Sequence, residues 1–222
     1  MTKILFVGNS YTFFSDLPKL LRELAEENGK EVEVSSVTKG GWSMVQFLDN
    51  GDEHTEKLNA AIENAPFDAV ILQDQSVISM QYPDKFEDGM KRMKERFDGK
   101  ADHVILYQTW ARRSGNKKLD ELGWTREEMH AGVTEAYRRV ADKIGAELSP
   151  VGECFYEVYE RHPEIELYDP DGSHPSYTGS AFAAICHYRA VFGEMPMKCE
   201  SLNVPAEWAK LFKDTVNLRF LG

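Results

Sequence analysis

A serine near the start of the chain and a histidine–aspartate pair near its end have the chemistry that acyl transfer needs. Ser10 lies just beyond the apolar run Ile4–Val7, and Asp171 stands three residues before His174. Serine is a weak nucleophile until a base removes its proton, and an imidazole base needs a partner that orients it. Groups that are distant in sequence can meet in a fold. The residue types therefore predict a catalytic triad of Ser10, His174 and Asp171.

These residues must be positioned by strands that alternate with helices. Apolar runs and period-two alternation predict strands over residues 3–7, 31–37, 68–72, 103–107 and 147–151. Apolar residues at helical spacing predict helices that end near residues 28, 64, 97, 144, 162, 192 and 216. This alternation is typical of a parallel sheet covered on both faces. We expect an α/β fold, with a single doubly wound domain over residues 1–222 and about five parallel strands.

Functional sites in open parallel sheets form beyond the carboxyl ends of the strands. The loop that carries His174 must return to this edge if the histidine is to reach Ser10. The sequence therefore predicts one site assembled from segments far apart along the chain. The other loops expected there are Gly8–Thr12, Thr38–Ser43, Gln73–Ser76 and Trp110–Arg113.

The composition narrows the classes of partner. The 222 residues include 26 basic and 37 acidic side chains, so the net charge of −11 disfavours nucleic acid or an anionic membrane. No apolar run approaches the roughly 20 residues that a membrane span needs. The first predicted strand begins at Lys3, which predicts no signal peptide and a cytoplasmic location. Cys154, Cys186 and Cys199 are odd in number and lack metal spacing, so we expect reduced thiols.

Three familiar motifs are absent from the sequence. Residue 12 is threonine, so Ser10 does not lie in a G-x-S-x-G elbow. There is no G-x-x-x-x-G-K-[ST] phosphate loop, and Gly40-Gly41 does not belong to a G-x-G-x-x-G sequence. Binding of a nucleoside triphosphate or a dinucleotide is therefore not expected.

The ordered blocks of the chain resemble the SGNH (GDSL-like) hydrolase superfamily. Gly8-Asn9-Ser10 after a strand matches its first block, and Asp171-Gly172-Ser173-His174 matches the Asp-x-x-His of its last block. The second block supplies a glycine, for which Gly40 or Gly41 is the candidate. The third block is usually Gly-x-Asn-Asp, but this chain has Gln73-Asp74-Gln75-Ser76 there. The resemblance covers almost the whole chain and indicates a divergent branch with a flavodoxin-like sheet.

This resemblance implies a mechanism without a metal or organic cofactor. Ser10 would attack an ester carbonyl, His174 would carry the proton, and Asp171 would orient the imidazole. The N–H groups of Ser10 and of Gly40 or Gly41, with the side-chain amide of Gln75 or Gln73, would stabilise the oxyanion. Glutamine places its amide one methylene farther from the backbone than asparagine, so it requires a recessed backbone.

Other interpretations of the same residues remain open at this level. Ser10 could cap a short helix, and His174 could be a surface residue beside a turn. A substrate-binding role is assigned to Asn9, Trp42, Gln73 and Trp110, although aromatic residues, Tyr107 above all, more often pack in cores. Tyr82 also falls in a rim loop. No role is assigned to Arg112 or Arg113, and His187 is expected to be a hydrogen-bonded core residue.

We therefore expect a serine esterase whose partner is a small-molecule ester, with small acyl groups on a carbohydrate or similar polar alcohol as the first substrate class. The alternative is a non-catalytic carbohydrate- or peptide-binding module, suggested by glutamine in the third block. A phosphoester hydrolase would need a metal cluster or several convergent basic residues. The sequence contains no evidence about the oligomeric state.

Overall fold

Five parallel strands form the centre of the protein. The computed structural model describes residues 1–220. Its strands are β1 (Thr2–Gly8), β2 (Val32–Thr38), β3 (Phe67–Leu72), β4 (Ala101–Tyr107) and β5 (Glu147–Ser149). They pair in the order β2-β1-β3-β4-β5, and every neighbouring pair is parallel. This is the flavodoxin-like order, in which the strand order reverses between β1 and β3.

Helices connect the strands and cover both faces of the sheet. Those described are α1 (Ser10–Phe13), α2 (Leu17–Glu27), α3 (Met44–Asp49), α4 (Glu53–Glu63), α5 (Ile78–Gln81), α6 (Pro83–Arg96), α7 (Lys117–Leu122), α8 (Arg126–Ile144), α9 (Val151–Arg161), α10 (Tyr177–Phe192) and α11 (Ala206–Phe220). No helix within residues 1–220 is both long enough and apolar enough to cross a bilayer.

Strand β1 is buried on both faces because its alternate side chains enter two different cores. Ile4 and Phe6 pack with α2, α9, α10 and α11 on one face of the sheet. Leu5 and Val7 pack with α3, α4, α6 and α8 on the other face. Each such buried side chain contributes roughly 1.5–3 kcal/mol. The strand that precedes Ser10 is therefore anchored in both cores.

The register of the sheet brings the strand ends together at one edge. Gly8 pairs with Thr38, and Val7 pairs with Leu72 of β3. Leu72 in turn pairs with Leu106 of β4. The loops that follow β1 to β4 consequently start side by side, as expected from the sequence.

The α/β class and the parallel sheet are confirmed, with differences at element boundaries. The predicted strand over residues 147–151 ends at Ser149, because Pro150 is the N-cap residue of α9 and Val151 begins that helix. Helix α2 starts at Leu17, since Ser15 and Asp16 have positive φ values of 51° and 53° that interrupt helical geometry. The short helices α1, α5 and α7 were not predicted, because four to six residues carry too little periodicity.

Candidate active site

Ser10 is the first residue of α1, and only Asn9 separates it from the end of β1 at Gly8. Asn9 is the N-cap residue, and its side-chain oxygen accepts a hydrogen bond from the backbone N–H of Tyr11 at 3.2 Å. The interpretation of Ser10 as a helix cap is therefore wrong, because the preceding residue performs that role. Gly8 is required before the turn, since a Cβ there would lie 2.4 Å from Thr12 Oγ1.

Ser10, His174 and Asp171 form a continuous hydrogen-bonded line. His174 Nε2 lies 2.9 Å from Ser10 Oγ, and His174 Nδ1 lies 2.5 Å from Asp171 Oδ2. A carboxylate only accepts hydrogen bonds, so Nδ1 carries the proton in neutral His174 and Nε2 is the acceptor that faces the serine hydroxyl. The structure thus brings together the three residues predicted as a triad, in the geometry that a nucleophile and its base need.

Asp171 is held as an anion. Its Oδ1 accepts hydrogen bonds from the backbone N–H groups of Ser173 at 2.8 Å and His174 at 2.9 Å. Partial burial acts to raise the pKa of Asp171, but the hydrogen bonds from the His174 ring and from these two amides outweigh it and lower the pKa. The carboxylate is therefore ionised at neutral pH and can stabilise a positive charge on the imidazole.

The loop between α9 and α10 is fastened to the loop after β4. The backbone N–H of Arg113 donates to Gly172 O at 2.8 Å, and Asn116 Nδ2 donates to Asp171 O at 2.7 Å. Gly172 has a φ of 66°, and a Cβ at this position would lie 3.0 Å from Arg113 Cβ. The site therefore depends on two strands. Ser10 follows β1, and the loop after β4 holds the loop that carries His174.

Buried aromatic rings hold α1 against the histidine loop. The Tyr11 ring stacks on Trp110 with centroids 4.5 Å apart, and Trp110 stacks on Phe155 at 4.1 Å. Trp110 Nε1 donates to Ser173 O at 3.0 Å, and the Tyr11 hydroxyl lies 2.7 Å from Ser173 Oγ. The stack therefore fixes Ser173, which is the residue directly before His174.

Backbone N–H groups point to a candidate oxyanion hole near Ser10. The Ser10 N–H, at the start of α1, has no acceptor among residues 1–220. Lys39 and Trp42 close a turn through a 3.3 Å hydrogen bond, in which Gly41 has a φ of 76°. The N–H groups of Gly40 and Gly41 also lack an acceptor within residues 1–220. Both glycines line the cavity described below.

Of the two candidate glutamines, Gln75 faces the site. Its Oε1 accepts from the backbone N–H of Val77 at 2.9 Å, which leaves the side-chain NH2 as a donor. Gln73, in contrast, is fully buried. Its Oε1 accepts from Asn9 N at 2.8 Å and from Thr12 Oγ1 at 2.9 Å, and its Nε2 donates to Asn9 Oδ1 at 2.9 Å. Gln73 therefore ties β3 to β1 and is not available to a substrate.

The buried side chain of Asp74 holds the loop that carries Gln75 through backbone hydrogen bonds. Asp74 is fully buried, and its Oδ1 accepts from the backbone N–H groups of Gln75 at 2.7 Å and Met44 at 3.1 Å. Its Oδ2 has no partner within residues 1–220. Burial raises the pKa of Asp74 to about 7, although the two amides oppose the rise. The carboxyl group before Gln75 therefore keeps its proton to a higher pH than an exposed aspartate does.

The site opens into a cavity of about 500 Å³. Most of its lining residues are of polar or charged types, and they include the triad, the candidate oxyanion donors and one arginine. The lining residues are Asn9, Ser10, Tyr11, Gly40, Gly41, Gln75, Ser76, Arg112, Asp171, Ser173 and His174. This volume lies within the range of small-molecule sites.

Several predicted substrate-binding residues have a different role. Trp110 is 1% exposed and belongs to the aromatic stack, so its prediction as a substrate contact is wrong, as is that of Gln73. Trp42 packs against Phe47 and His54 and does not line the cavity, because its ring turns toward α3 and α4. Asn9 lines the cavity, but its side chain is engaged by Trp42 O at 2.9 Å and by the N-cap contact.

The predictions for Tyr107, Tyr82 and His187 have mixed outcomes. Tyr107 is buried, as expected, and Tyr82 lies 49% exposed away from the cavity. His187 is buried, but neither ring nitrogen has a hydrogen-bond partner in the described chain, so the expectation of a hydrogen-bonded histidine is wrong. Burial lowers the pKa of His187 to about 3. The neutral ring contacts Phe6 and Tyr107 edge-on.

Four residues of the cavity received no site role in the sequence analysis, although three of them lie in loops expected at this edge: Tyr11, Ser76, Arg112 and Ser173. Arg112 and Ser76 follow β4 and β3, so the rule that sites form at strand ends was sufficient to select them. Tyr11 and Ser173 adjoin the predicted nucleophile and base. Their pairing depends on a contact between residues 162 positions apart, which no local pattern reveals. Within residues 1–220, no group of three or more His, Cys, Asp or Glu side chains is placed to hold a metal ion.

The same fold occurs in solved structures of distant sequence. A proposed SGNH hydrolase from Slackia heliotrinireducens is 29% identical, with a TM-score of 0.76 over 85% of this chain and 98% of that chain. A DUF4886 family protein from Bacteroides uniformis is 17% identical, with a TM-score of 0.79 over 99% of this chain and 95% of that chain. A variant of Axe2, an acetyl xylan esterase from Geobacillus stearothermophilus, is 17% identical, with a TM-score of 0.60 over 89% and 97%.

No protein-family model matches the chain, and comparison with curated proteins finds no match. The structural likeness, however, extends over most of the chain in each case, and it includes a sequence that shares 29% of its residues. With its five-stranded parallel sheet flanked by helices, the chain has the SGNH hydrolase fold that its sequence blocks predicted.

Proposed function

We propose that this protein is a serine ester hydrolase in which Ser10 is the nucleophile. One observation carries the proposal: Ser10 Oγ lies 2.9 Å from His174 Nε2, and Asp171 holds the opposite ring nitrogen at 2.5 Å. This arrangement both activates a hydroxyl and directs it into an open cavity. The SGNH hydrolase fold supports the assignment to the hydrolases.

Acylation begins when Ser10 Oγ attacks the carbonyl carbon of the ester and its proton passes to His174 Nε2. The negative charge of the tetrahedral intermediate develops on the former carbonyl oxygen. When the bond to the alcohol breaks, His174 gives its proton to the departing alkoxide oxygen. Ser10 then carries the acyl group, and the alcohol leaves neutral.

Deacylation repeats these steps with water in place of the alcohol. Water gives a proton to His174 as its oxygen attacks the acyl carbon. Ser10 Oγ then leaves and recovers a proton from His174, which releases the carboxylic acid. Asp171 remains a carboxylate throughout and stabilises the imidazolium that forms in each half-reaction.

The oxyanion is assigned three donors: the N–H of Ser10, the N–H of Gly40 or Gly41, and the side-chain NH2 of Gln75. The support is that these groups border the same cavity and that the backbone donors have no competing acceptor in residues 1–220. Gln75 takes the place that asparagine has in the third block of the superfamily. Its amide orientation is already set by the hydrogen bond from Val77 N.

A small acyl group on a carbohydrate or similar polar alcohol is the substrate class that we propose first. The residues that line the cavity include no aliphatic side chain, and most of them carry hydroxyl, amide or charged groups, which supports a small polar substrate over a long acyl chain. The fold shared with an acetyl xylan esterase agrees with this class.

The proposal is tested by the release of 4-nitrophenol from 4-nitrophenyl acetate. We expect Ser10→Ala to lower kcat/KM by about 10³-fold or more, because the covalent route is lost. Ser36→Ala is the matched control, since this exposed serine lies in the edge strand β2, and it should retain the wild-type rate. Equal rates for wild type and Ser10→Ala would remove the proposed function.

The second candidate is a non-catalytic carbohydrate- or peptide-binding module on the same fold. Gln75 in place of asparagine is the observation that favours it. This candidate predicts that wild type hydrolyses no ester faster than Ser10→Ala does, while both proteins bind the same sugar or peptide with equal affinity.

A further inference from the structure

Arg112 is a permanent positive charge in the wall of the candidate active site. It lines the same cavity as Ser10 and His174. Within residues 1–220, no carboxylate oxygen lies within 4.0 Å of its guanidinium. Its sequence neighbour Arg113 instead pairs with Glu166 at 3.4 Å. In a chain with a net charge of −11, a cation that lacks a carboxylate partner requires an explanation.

The Arg112 guanidinium is oriented by one hydrogen bond, but it keeps N–H donors that have no acceptor among the described residues. Arg112 Nη2 donates to Ser76 Oγ at 3.2 Å, and Nε is buried without an acceptor among the described residues. Ser76 is itself buried at 4% exposure, so this contact anchors the side chain. Burial raises the pKa of the Tyr11 phenol, and the nearby charge of Arg112 partly opposes the rise. Arg112 thus belongs to the wall formed with Tyr11 and Ser76.

The neighbouring acid in the cavity cannot neutralise Arg112. Asp171 uses Oδ1 to accept two backbone hydrogen bonds and Oδ2 to hold the His174 ring. The remaining lining side chains are the amides of Asn9 and Gln75, several hydroxyls, the Tyr11 phenol and the imidazole of His174, so none of them is an acid. The positive charge therefore faces the volume in which a substrate would lie.

We propose that the ester hydrolysed at Ser10 carries a carboxylate, and that Arg112 binds this carboxylate inside the cavity. This inference rests on the proposed function and specifies its substrate class: an ester of an acidic sugar, or of another small molecule with a free carboxylate. A guanidinium binds carboxylates through directed, charge-assisted hydrogen bonds. A phosphate dianion fits less well, because Arg112 is the permanent cation of the described lining and Asp171 is an anion beside it.

Two matched pairs of esters test the inference. The carboxylate lies on the alcohol side in 4-acetoxybenzoate, whose neutral partner is methyl 4-acetoxybenzoate. It lies on the acyl side in mono(4-nitrophenyl) succinate, whose neutral partner is the methyl 4-nitrophenyl diester. We expect Arg112→Gln to lower the charged-to-neutral ratio of kcat/KM by about 10- to 100-fold in one pair, as the loss of a charge-assisted hydrogen bond predicts.

Two further variants make this result specific. Arg112→Lys should retain part of the preference, since it keeps the charge without the planar donor group. Arg113→Gln removes the same charge from the adjacent residue and should leave the ratio unchanged. The inference is overturned if Arg112→Gln leaves both ratios unchanged, or if it slows the charged and neutral esters equally.

A binding measurement separates this inference from the proposed function. Calorimetry with Ser10→Ala and all four esters should show that the charged ester binds more tightly than its neutral partner in at least one pair, and that adding Arg112→Gln abolishes the difference. If wild type hydrolyses neither these four esters nor 4-nitrophenyl acetate faster than Ser10→Ala does, the proposed function fails, while Arg112-dependent binding of the anion still supports a carboxylate site. Equal affinity with and without Arg112 would overturn the inference, even in an active esterase.

Discussion

At the scale of single residues, the site separates the group that reacts from the groups that hold it in place. Ser10 and His174 face the cavity, whereas Asp171 is bound by two backbone amides and by the ring that it orients. His174 also stacks on Phe14, with ring centroids 4.2 Å apart. The imidazole is therefore restrained both by a hydrogen bond and by packing, which preorganises it for proton transfer.

The role of Asp171 predicts a graded loss of activity. Asp171→Asn should lower kcat by about 10²–10⁴-fold, because an amide preserves the shape but can hold the wrong tautomer of His174. Ser10→Ala should lower it further. Steady-state kinetics of both variants with 4-nitrophenyl acetate measures the difference. An Asp171→Asn enzyme with the wild-type rate would exclude the carboxylate from the mechanism.

Gln75 predicts a loss in kcat rather than in KM. Gln75→Ala should lower kcat by about 10²–10³-fold, as expected when one oxyanion donor is removed, with a far smaller change in KM. Gln81→Ala, which removes an exposed amide at the end of α5, is the control and should be without effect. An unchanged kcat in Gln75→Ala would leave the oxyanion to backbone donors alone.

At the scale of the elements, the site depends on contacts between segments that are far apart in sequence. Helix α1 and the loop between α9 and α10 meet through Tyr11, Trp110 and Ser173. The sequence supports the strands, the longer helices and the strand-end rule, because those follow from local periodicity. It does not reveal that Trp110 belongs to a buried stack, since an aromatic residue in a rim loop is compatible with either role.

The contact between Tyr11 and Ser173 predicts a coupled loss of stability and activity. Tyr11→Phe leaves the buried Ser173 hydroxyl without this partner, which should cost roughly 1–3 kcal/mol of unfolding free energy. It should also lower kcat, because Ser173 precedes His174. Denaturant unfolding and kinetics measure the two effects. Tyr82→Phe alters a half-exposed phenol outside the cavity and should change neither, and a Tyr11→Phe protein identical to wild type would contradict the coupling.

At the scale of the whole molecule, the order and register of the sheet determine which segments meet at the site. Parallel order and register place the ends of β1 to β4 along one edge, so segments at Ser10, Gly41 and Gln75 converge as the strand-end rule predicts. The choice between Gln73 and Gln75 could not be made from sequence. The two residues differ by two positions, and only the burial of Gln73 between β1 and β3 distinguishes them.

Asp74 predicts a pH dependence of global stability. Its pKa is about 7 in the folded protein and about 3.9 in an unfolded chain. Below both values each state is protonated, whereas between them only the unfolded state has released the proton. The unfolding free energy should therefore fall as pH rises from about 4 to about 7, by on the order of 4 kcal/mol, and then level off.

The variant Asp74→Asn isolates this contribution. Its side-chain oxygen can still accept from Gln75 and Met44, but it does not titrate. The Tm of Asp74→Asn relative to wild type should therefore increase between pH 4 and pH 7 and stay constant above that range. A difference in Tm that does not vary with pH would show that Asp74 has an ordinary pKa.

The central claim is that His174 activates the Ser10 hydroxyl, and covalent labelling with a fluorophosphonate tests it most directly. Mass spectrometry of the treated protein should show a single adduct, located on Ser10. Ser10→Ala should form no adduct, and labelling of His174→Ala should be slower by about 10²-fold or more, because the base is lost. An adduct on another residue, or equal labelling rates in wild type and His174→Ala, would contradict the account.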